Sequence, residues 1–526
     1  MYISSLIRQP DGVFAETEDK RLTLTAQNGS FAANGVEVTC RETDGTLQIA
    51  VSAQPRLRFV TLRWQLPFPE SVQLLGDALE RSYGDLQWQG LVPERAMPWY
   101  FLLTDGTAAA GIGVKTNPHA LCWWQADSDG ISLLLDVRTG GRGVCLNGRT
   151  LPAATVVFMP PVNEPAFAAA QRFCRLLCDN GVFPDAPVYG SNNWYYAYGN
   201  SSHEQILRDA ALAASLAPSE GVRPFMVIDD GWQSDHEKDY NGGPWISGNA
   251  RFPDMARLAG DIADCGAIPG LWFRPLQNHA PDIPDSWRQK RDPSLLDPSL
   301  PEVRDYIAED IRRFSAWGYR LIKHDFSTFD LIGTWGSSFL PKQDIGAYEL
   351  ADNTRTNAEV LMELYRAIYA ARGEGVLILG CNCIGHLGTG MMHLFRTGDD
   401  TSGLDWERTR KMGVNTLAFR LPQHRIFFDV DADCIGVTPH IDWEKNRQWL
   451  HLLQNSGTPL FVSADPDTLT DEQKTALRAA FLQAAKQTDV AVPLDWQSTC
   501  CPARWSFNGE ETRYHWFAGT DSLFGG

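Results

Sequence analysis

The stretch LIKHDF at residues 321–326 places a lysine and an aspartate two positions apart after an apolar pair. In a β-strand, residues i and i+2 point to the same face, so Lys323 and Asp325 are expected to project together. A carboxylate that lies beside a cation keeps a low pKa and remains available as a nucleophile. The stretch therefore predicts a short buried strand with a reactive aspartate at its carboxyl end.

Short apolar runs alternate with helical segments on both sides of this stretch, which is typical of a parallel α/β barrel. Eight strands are predicted, at residues 188–194, 225–229, 268–273, 321–323, 376–380, 394–397, 426–430 and 459–463. The helices predicted between them include residues 203–216, 302–317, 357–371 and 471–486. We therefore expect a central (β/α)8 TIM barrel over residues 186–488.

The chain on either side of the predicted barrel has a different pattern. Residues 1–160 contain short strands, such as 46–51, 56–63 and 130–137, between Gly, Asp and Asn turns, and this predicts an N-terminal β-sandwich. Residues 161–185 are predicted to be a helical linker, with a helix over 164–180 and Gly181 as its C′ residue. Residues 489–526 read as a short C-terminal β segment. The fold class is thus multidomain.

Charge and composition exclude several classes of partner. Lys and Arg number 46 against 64 Asp and Glu, a net charge of −18, which argues against nucleic acid and anionic membranes as partners. The sequence has neither an apolar run of 18 residues nor a basic start followed by an apolar run, so we expect no membrane span and no signal peptide. The eleven cysteines lack paired zinc-finger spacing and are read as reduced thiols, so we expect a cytoplasmic enzyme.

Polar side chains follow the predicted strands at the points where the strands end. They are Asp229 and Asp230, Arg274, Lys323 and Asp325, Cys381 and Asn382, Arg396 with Asp399 and Asp400, and Asp429 with Asp431 and Asp433. The chemistry of a TIM barrel lies at this carboxyl end of its strands. One such acid alone is about as well explained as a helix N-cap. Six strand ends with acids and cations together indicate a catalytic site.

The pairing of carboxylates with aromatic residues suggests glycoside hydrolysis. That reaction needs one ionised carboxylate at the anomeric carbon, for which Asp325 is the candidate, and one protonated acid at the leaving oxygen. Asp399 and Asp400 both qualify as the acid. We expect no cofactor and no metal, because the calcium-loop pattern that starts at Asp429 has Cys434 where glycine is needed.

These motifs resemble the α-galactosidases and melibiases of glycoside hydrolase families 36 and 27, and family 36 more closely, over residues 189–465. The run Asp-Asp-Gly-Trp at 229–232 is similar to the family's second-strand signature, and Lys-x-Asp at 323–325 to its nucleophile motif. An arginine four residues before an aspartate matches its acid/base segment, here Arg396 and Asp400. The resemblance implies that Asp325 is the nucleophile, that Asp400 is the acid/base and that Asp399 is a neighbour.

The resemblance also implies a sugar pocket. Asp229 and Asp230 are expected to accept hydrogen bonds from the 4-OH and 6-OH, and Lys323 and Arg396 to hold hydroxyls. Apolar walls are expected from Trp194, Tyr195 and Trp272, although Trp272 is equally well explained by packing inside the barrel.

Two features depart from the family pattern. Cys381 and Asn382 stand where the family has Cys-x-Ser-Gly-Gly-x-Arg, a loop that helps to read the sugar's 2-substituent. Arg274 has no counterpart in the pattern, and we count all three residues as candidate substrate contacts.

The implied activity is that of a retaining, exo-acting α-galactosidase on oligosaccharides or glycoconjugates, with a covalent glycosyl-enzyme intermediate. Its two carboxyl groups are expected to lie roughly 5–5.5 Å apart, and Asp400 to have a raised pKa. A related α-glycosidase or transglycosylase acting on α-N-acetylgalactosaminides, α-glucosides or raffinose-type donors stays open, as does a barrel that binds sugar without cleaving it. The resemblance also allows a homo-oligomer.

Overall fold

The structure is a computed structural model that describes residues 7–68, 71–237, 239–486 and 488–517. The outer ends of the two predicted terminal units, residues 1–6 and 518–526, lie outside the described residues.

The N-terminal part of the chain forms one largely antiparallel sheet of thirteen described strands, in the order β7-β9-β10-β13-β5-β4-β3-β2-β1-β6-β12-β11-β8. The strands are β1 (Gly12–Thr17), β2 (Arg21–Gln27), β3 (Ser30–Ala33), β4 (Val36–Thr43), β5 (Thr46–Ala53), β6 (Leu57–Gln65), β7 (Gln73–Gly76), β8 (Met97–Pro98), β9 (Tyr100–Thr104), β10 (Ala109–Val114), β11 (Leu121–Asp127), β12 (Gly130–Asp136) and β13 (Leu151–Val162). The strands predicted at 46–51, 56–63 and 130–137 are confirmed as β5, β6 and β12.

Alternation of buried and exposed side chains explains the strands of this sheet that have one face in solvent. In β4, Val36, Val38 and Cys40 are buried while the residues between them are exposed, the period-two pattern of a half-buried strand. β10 is instead buried along its whole length, because helix α1 (Ala166–Leu177) packs against it. That approach requires Gly111, whose added Cβ would lie 2.4 Å from the ring of Phe173.

Helix α1 is shorter than the predicted helix over 164–180. It ends at Cys178, which is extended, so the predicted capping role of Gly181 is wrong. Gly181 has a different reason to be glycine: a Cβ there would lie 2.1 Å from the carbonyl oxygen of Ile426.

The middle of the chain forms a nine-stranded parallel sheet with helices between its strands. The strands are β14 (Tyr189–Asn192), β15 (Phe225–Ile228), β16 (Ile268–Phe273), β17 (Leu321–His324), β18 (Leu377–Gly380), β19 (Leu394–Arg396), β20 (Asp429–Asp431), β21 (Cys434–Val437) and β22 (Leu460–Ala464). Their order in the sheet is β20-β19-β18-β17-β16-β15-β14-β22-β21. β20 and β21, which stand at opposite edges, belong to one segment of chain (429–437), so this segment joins the two edges.

The helices follow the strands in chain order. They are α2 (Trp194–Ala197), α3 (His203–Leu216), α4 (Met255–Asp264), α5 (Pro301–Trp317), α6 (Ser327–Ile332), α7 (Asn357–Ala371), α8 (Gly385–Gly388), α9 (Trp406–Thr409), α10 (Thr416–Arg420), α11 (Trp443–Gln454) and α12 (Asp471–Ala484). The predicted helices at 203–216 and 357–371 are confirmed to the residue as α3 and α7. In the part of the chain that the structure describes, no helix has the length and apolar character needed to cross a membrane.

Two of the eight predicted strands differ from the observed strands by more than one residue at an end. The first ends at Asn192, and its last predicted residues begin helix α2. The seventh is displaced, because the apolar residues before β20 pack instead of pairing. The ring of Phe428 lies 4.7 Å from that of Phe395, and the ladder starts only at Asp429.

After α12, the chain forms a small three-stranded sheet of β23 (Val492–Pro493), β24 (Arg504–Phe507) and β25 (Glu510–Arg513). Trp505 and Trp516 are buried there, and Trp406 Nε1 donates a hydrogen bond of 3.1 Å to the carbonyl oxygen of Trp516. Within the short β segment predicted over residues 489–526, the last described strand ends at Arg513.

Candidate active site

The carboxyl ends of the parallel strands bring most of the predicted site residues together. Asp229 and Asp230 follow β15, Asp325 follows β17, Asn382 follows β18 and Arg396 ends β19. All five side chains are buried, with at most 6% of the residue surface exposed. Buried polar groups require partners, and those partners define the electrostatics of the site.

Asp325 accepts hydrogen bonds from three N–H groups, one on strand β16 and two just beyond the ends of β17 and β18. Trp272 Nε1 donates to Oδ2 at 2.9 Å, while the backbone N–H of Phe326 donates to Oδ1 at 2.7 Å. Asn382 Nδ2 also donates to Oδ1. Donors to both oxygens fix the plane of the carboxyl group. Phe326 has a left-handed backbone (φ 66°), which is uncommon for a non-glycine residue.

The expected pairing of Lys323 with Asp325 is replaced by another. Lys323 Nζ donates to Asp229 Oδ2 at 2.7 Å, and Asn192 Nδ2 donates to the same oxygen at 2.8 Å. Burial lowers the pKa of Lys323, but the acidic groups around it, with Asp229 first among them, together outweigh burial and raise that pKa well above its usual value. Strand β17 ends at His324, so the two-residue alternation does not extend to Asp325.

Asp400 lies at the loop after β19 and has a different environment. Arg396 Nη2 donates to Asp400 Oδ1 at 3.1 Å and also contacts Asp433 Oδ2 at 2.7 Å. Desolvation raises the pKa of Asp400, but the cations Arg396, Lys323 and Arg81 outweigh it, and the pKa lies below its ordinary value. The expectation of a raised pKa in the free protein is therefore wrong, because the sequence did not reveal how many cations surround this carboxyl group.

The neighbouring carboxylate Asp399 is engaged on both oxygens. Arg81 Nη1 contacts Oδ1 at 2.9 Å, and Arg408 Nη2 donates to Oδ2 at 2.8 Å. The backbone N–H of Asp400 also donates to Asp399 Oδ1 at 2.8 Å. The side chain of Asp400 is 38% exposed and that of Asp399 16%, so Asp400 is the more accessible of the two candidate acids.

Asp230 lies beside Asp229 at the end of β15. Its Oδ1 accepts a hydrogen bond of 2.8 Å from Gln233 Nε2 and lies 3.3 Å from His236 Nδ1. Both oxygens of Asp229 accept hydrogen bonds within the protein, since Asp230 N donates to its Oδ1 at 3.0 Å. Asp229 is thus arranged to orient Lys323 and Asp230.

The three predicted aromatic walls have three different environments. Trp194 is half-buried, with its ring 5.5 Å from that of Tyr198. Tyr195 is buried among side chains of the parallel strands, and its hydroxyl donates a hydrogen bond to Asp433. Trp272 is buried and is both a packing residue and a donor to Asp325.

The two departures from the family pattern also differ from each other. Arg274 directs its guanidinium to Asp330 on α6, through Nε at 2.9 Å, and its Cζ lies 4.3 Å from the ring centre of Phe326. Cys381 is buried among apolar side chains, and burial raises the pKa of its thiol well above the usual value. Asn382 has a left-handed backbone (φ 47°), and its Oδ1 is buried without a hydrogen-bond partner in the described part of the chain.

Two residues near the site have a role that the motifs did not reveal. Asp433 has a left-handed backbone (φ 75°) and accepts hydrogen bonds from Tyr195 and from the backbone N–H of Thr401. Arg81 comes from the N-terminal part of the chain. Asp433 follows a strand and so had a sequence signal, whereas only the tertiary structure brings Arg81 to the site. Across the described ranges, no group of three His, Cys, Asp or Glu side chains is arranged to hold a metal ion.

Comparisons with known proteins agree with this architecture. No protein-family model matches the chain. The probable α-galactosidases C of Aspergillus flavus and Aspergillus oryzae are each 31% identical over 166 residues, which is 26% of this chain. That matched part spans 21% of the length of each relative.

Solved structures match over a much larger share of the chain. The α-galactosidase of Thermus thermophilus in complex with stachyose matches with a TM-score of 0.57 and 20% identity, over 89% of this chain and 99% of that one. A variant family 36 α-galactosidase of Geobacillus stearothermophilus in complex with raffinose matches with a TM-score of 0.59 and 16% identity, over 92% of this chain and 77% of that one. At these identities, the likeness establishes a shared multidomain fold, and it agrees with the resemblance noted from the sequence motifs.

Proposed function

We propose that this chain is a family 36 glycoside hydrolase, a retaining and exo-acting α-galactosidase with Asp325 as nucleophile and Asp400 as acid/base. The observation that carries the proposal is the contrast between the two carboxyl groups. Asp325 accepts three N–H donors that fix its orientation, whereas Asp400 is held by one guanidinium and stays partly exposed. A nucleophile needs the first environment, and a group that both gives and takes a proton needs the second.

In the first step, Asp325 attacks the anomeric carbon of an α-galactoside. The bond from that carbon to the departing oxygen breaks as the ester bond to Asp325 forms, and Asp400 gives its proton to that oxygen. In the second step, Asp400 takes a proton from water, and the hydroxide displaces Asp325. Two inversions give net retention, which requires the carboxyl groups to lie roughly 5–5.5 Å apart.

The residues around the two carboxyl groups are proposed to orient the sugar. Asp229 holds the ammonium group of Lys323 with one oxygen, which leaves other ammonium protons for a sugar hydroxyl. Asp230 is the better acceptor for the 4-OH or 6-OH, because Asp229 has both oxygens engaged. Arg396 is fixed by Asp433 on one side, so its position relative to Asp400 is set before substrate binds.

We propose the finer architecture on the same basis. The strand order, and the joining of both sheet edges through residues 429–437, support a (β/α)8 barrel over residues 186–488. The N-terminal strands support a β-sandwich over residues 1–160, with 161–185 as a helical linker and 489–526 as a short β segment. The Thermus and Geobacillus enzymes bound stachyose and raffinose, and we propose α-galactosyl oligosaccharides of this kind as substrates.

The main rival is a related enzyme for α-N-acetylgalactosaminides. Asn382 bears on the choice between the two sugars. Its Nδ2 donates a hydrogen bond to Asp325, and its buried Oδ1 receives no hydrogen bond in the described part of the chain. A hydroxyl at C2, next to the attacked carbon, would supply that donor. The N–H of a 2-acetamido group can donate to the same oxygen, so we keep the α-galactoside as the proposed substrate on the likeness to the Thermus and Geobacillus enzymes.

The function is tested with a panel of 4-nitrophenyl α-glycosides, and the first-formed anomer is followed by NMR. We expect cleavage of the α-galactoside with initial release of α-galactose. Asp325→Asn is expected to be inactive, with Asp429→Asn as an active control, because Asp429 lies at the start of β20, away from the strand ends. An inert wild type, or β-galactose formed first, would contradict the proposal.

A further inference from the structure

A segment of the N-terminal part of the chain pairs with the loop that carries Asp400. Ser82 N donates to the carbonyl oxygen of Thr397 at 2.8 Å, and Asp399 N donates to the carbonyl oxygen of Ser82 at 2.8 Å. These two backbone bonds form a short parallel bridge between Ser82 and Gly398. The bridge places the side chain of Arg81 beside the acid/base loop, by which we mean residues 397–402.

Arg81 contacts both sides of the proposed active site. Its Nη1 lies 2.9 Å from Asp399 Oδ1, next to Asp400 in the chain, and its Cζ lies 4.4 Å from the ring centre of Trp335. The ring of Trp335 is in turn 5.5 Å from that of Phe326, whose backbone N–H holds Asp325. Arg81 therefore joins the acid/base loop to the segment that begins with the nucleophile.

The guanidinium is held in this position by groups that leave it little freedom. Its Nε donates to the hydroxyl of Tyr83 at 3.3 Å, and that hydroxyl donates to Glu80 Oε1. Glu80 is fully buried and also accepts a hydrogen bond of 2.9 Å from the backbone N–H of Gly336, beside Trp335. An arginine that is 7% exposed and held in this way is preorganised, so it loses little side-chain entropy when the loops are in place.

We propose that Arg81 is a positioning residue that holds the acid/base loop against the nucleophile segment, so that Asp400 is set to protonate the leaving group. This rests on the proposed function. General acid catalysis requires hydrogen-bond geometry between the acid and the departing oxygen, and a loop that shifts by a fraction of an ångström loses it. The effect of Arg81 therefore depends on how much the leaving group needs a proton.

The test compares two α-galactosyl substrates with Arg81→Gln. Raffinose has a sugar as leaving group and needs full protonation, whereas α-galactosyl fluoride leaves as fluoride and needs little. We expect kcat/KM for raffinose to fall about 10- to 100-fold and that for the fluoride to stay within about 3-fold. The alkaline limb of kcat/KM for raffinose should also move to higher pH, because a cation near Asp400 has been lost.

Two further variants separate positioning from folding. Arg408→Gln removes an arginine from the other oxygen of Asp399 without touching Trp335, so it should keep the wild-type ratio of the two substrates. Asp399→Asn weakens the Arg81 contact from its other end and should give a smaller loss in the same direction. In the double variant, Asp399→Asn should add little to the loss of kcat/KM caused by Arg81→Gln, because the two residues belong to one interaction. Asp399→Asn decides the question if Arg81→Gln does not fold.

The outcomes distinguish this inference from the function on which it rests. A wild type that cleaves neither substrate overturns both. An active wild type whose Arg81→Gln variant loses raffinose and fluoride activity equally, or loses neither, overturns the inference alone. So does an Arg408→Gln variant with the same selective loss, since that would make the effect a general loosening of the loop.

Discussion

Asp325 owes its geometry to one residue on β16 and two residues just beyond the ends of β17 and β18, which supply its N–H donors. A carboxylate held on both oxygens is a poor base but a well-oriented nucleophile, because its plane is fixed before the sugar arrives. The indole of Trp272 is the donor whose removal disturbs the shape of the site least.

Trp272→Phe should keep the ring and remove the N–H. Loss of a hydrogen bond to a charged acceptor costs about 1.5–3 kcal/mol, so we expect kcat/KM to fall about 10- to 100-fold. The measurement is hydrolysis of 4-nitrophenyl α-galactoside. Trp245→Phe is the matched control, because Trp245 packs against Trp272 and its own Nε1 has no hydrogen-bond partner in the described part of the chain. Equal loss in both variants would assign the effect to packing.

The pKa of Asp400 predicts the shape of the pH profile. The surrounding cations lower this pKa in the free protein, and a general acid acts only while it is protonated. As pH rises through a lowered pKa, the protonated fraction falls early, so kcat/KM should decline with rising pH already on the acidic side of neutrality. The check is kcat/KM for an oligosaccharide substrate from acidic to alkaline pH. A decline that begins only above neutrality would contradict the lowered pKa.

At the scale of single elements, the helices were predictable where the caps are local. Helices α7 and α12 both begin with a capping box, formed by Thr356 with Glu359 and by Thr470 with Gln473. Such boxes depend on residues three apart and are visible in the sequence. The bounds of the first and seventh strands were less predictable, because they depend on which apolar residues form backbone hydrogen bonds with a neighbouring strand.

The two capping boxes predict different losses of stability. Thr470 is exposed, so Thr470→Ala should cost only the cap, about 1 kcal/mol. Thr356 is buried, and its hydroxyl also donates to the carbonyl oxygen of His119 at 2.6 Å. Thr356→Ala should therefore lower Tm more than Thr470→Ala does. Thermal denaturation of both variants measures the difference, and equal shifts would show that the bond to His119 contributes nothing.

The same distinction holds for the candidate site: residues at strand ends could be predicted from the sequence, whereas contacts between distant parts of the chain could not. The strand ends made Asp325, Asp229 and Arg396 candidates, and the resemblance to the family's acid/base segment selected Asp400 over Asp399. They did not reveal that Lys323 pairs with Asp229, since that contact joins strands 94 residues apart in the chain. Arg81 could not be found from the sequence at all, because nothing near it resembles a catalytic motif and its contacts at the site, Asp399 and Trp335, lie hundreds of residues away.

At the scale of the whole molecule, a buried cluster around Asp77 joins the end of strand β7, in the N-terminal sheet, to helix α10. Arg420 Nε donates to Asp77 Oδ1 at 2.8 Å, and Gln423 Nε2 donates to Asp77 Oδ2 at 2.9 Å. Arg420 also donates to the carbonyl oxygens of Thr397 and Ala78. This cluster lies at the base of the segment that carries Arg81, so it ties the N-terminal sheet to the acid/base loop.

Asp77→Ala should strongly destabilise the protein, because it leaves the buried guanidinium of Arg420 without its carboxylate. Breaking a buried pair in this way costs about 3–5 kcal/mol. Urea unfolding followed by tryptophan fluorescence measures the loss. Arg8→Ala is the control, since its ion pair with Asp11 is exposed and should contribute less than about 1 kcal/mol. Similar losses in the two variants would mean that the Asp77 pair does not join the two parts of the molecule.

The covalent intermediate gives the most direct test of the central claim. A fluorinated α-galactosyl fluoride, which slows release of the sugar, should leave one galactosyl adduct on the protein, and peptide mass spectrometry should locate it on Asp325. The adduct should be absent from Asp325→Asn. An adduct on a different carboxylate, or hydrolysis of the α-galactoside with inversion and no adduct, would contradict the assignment of Asp325 as the nucleophile.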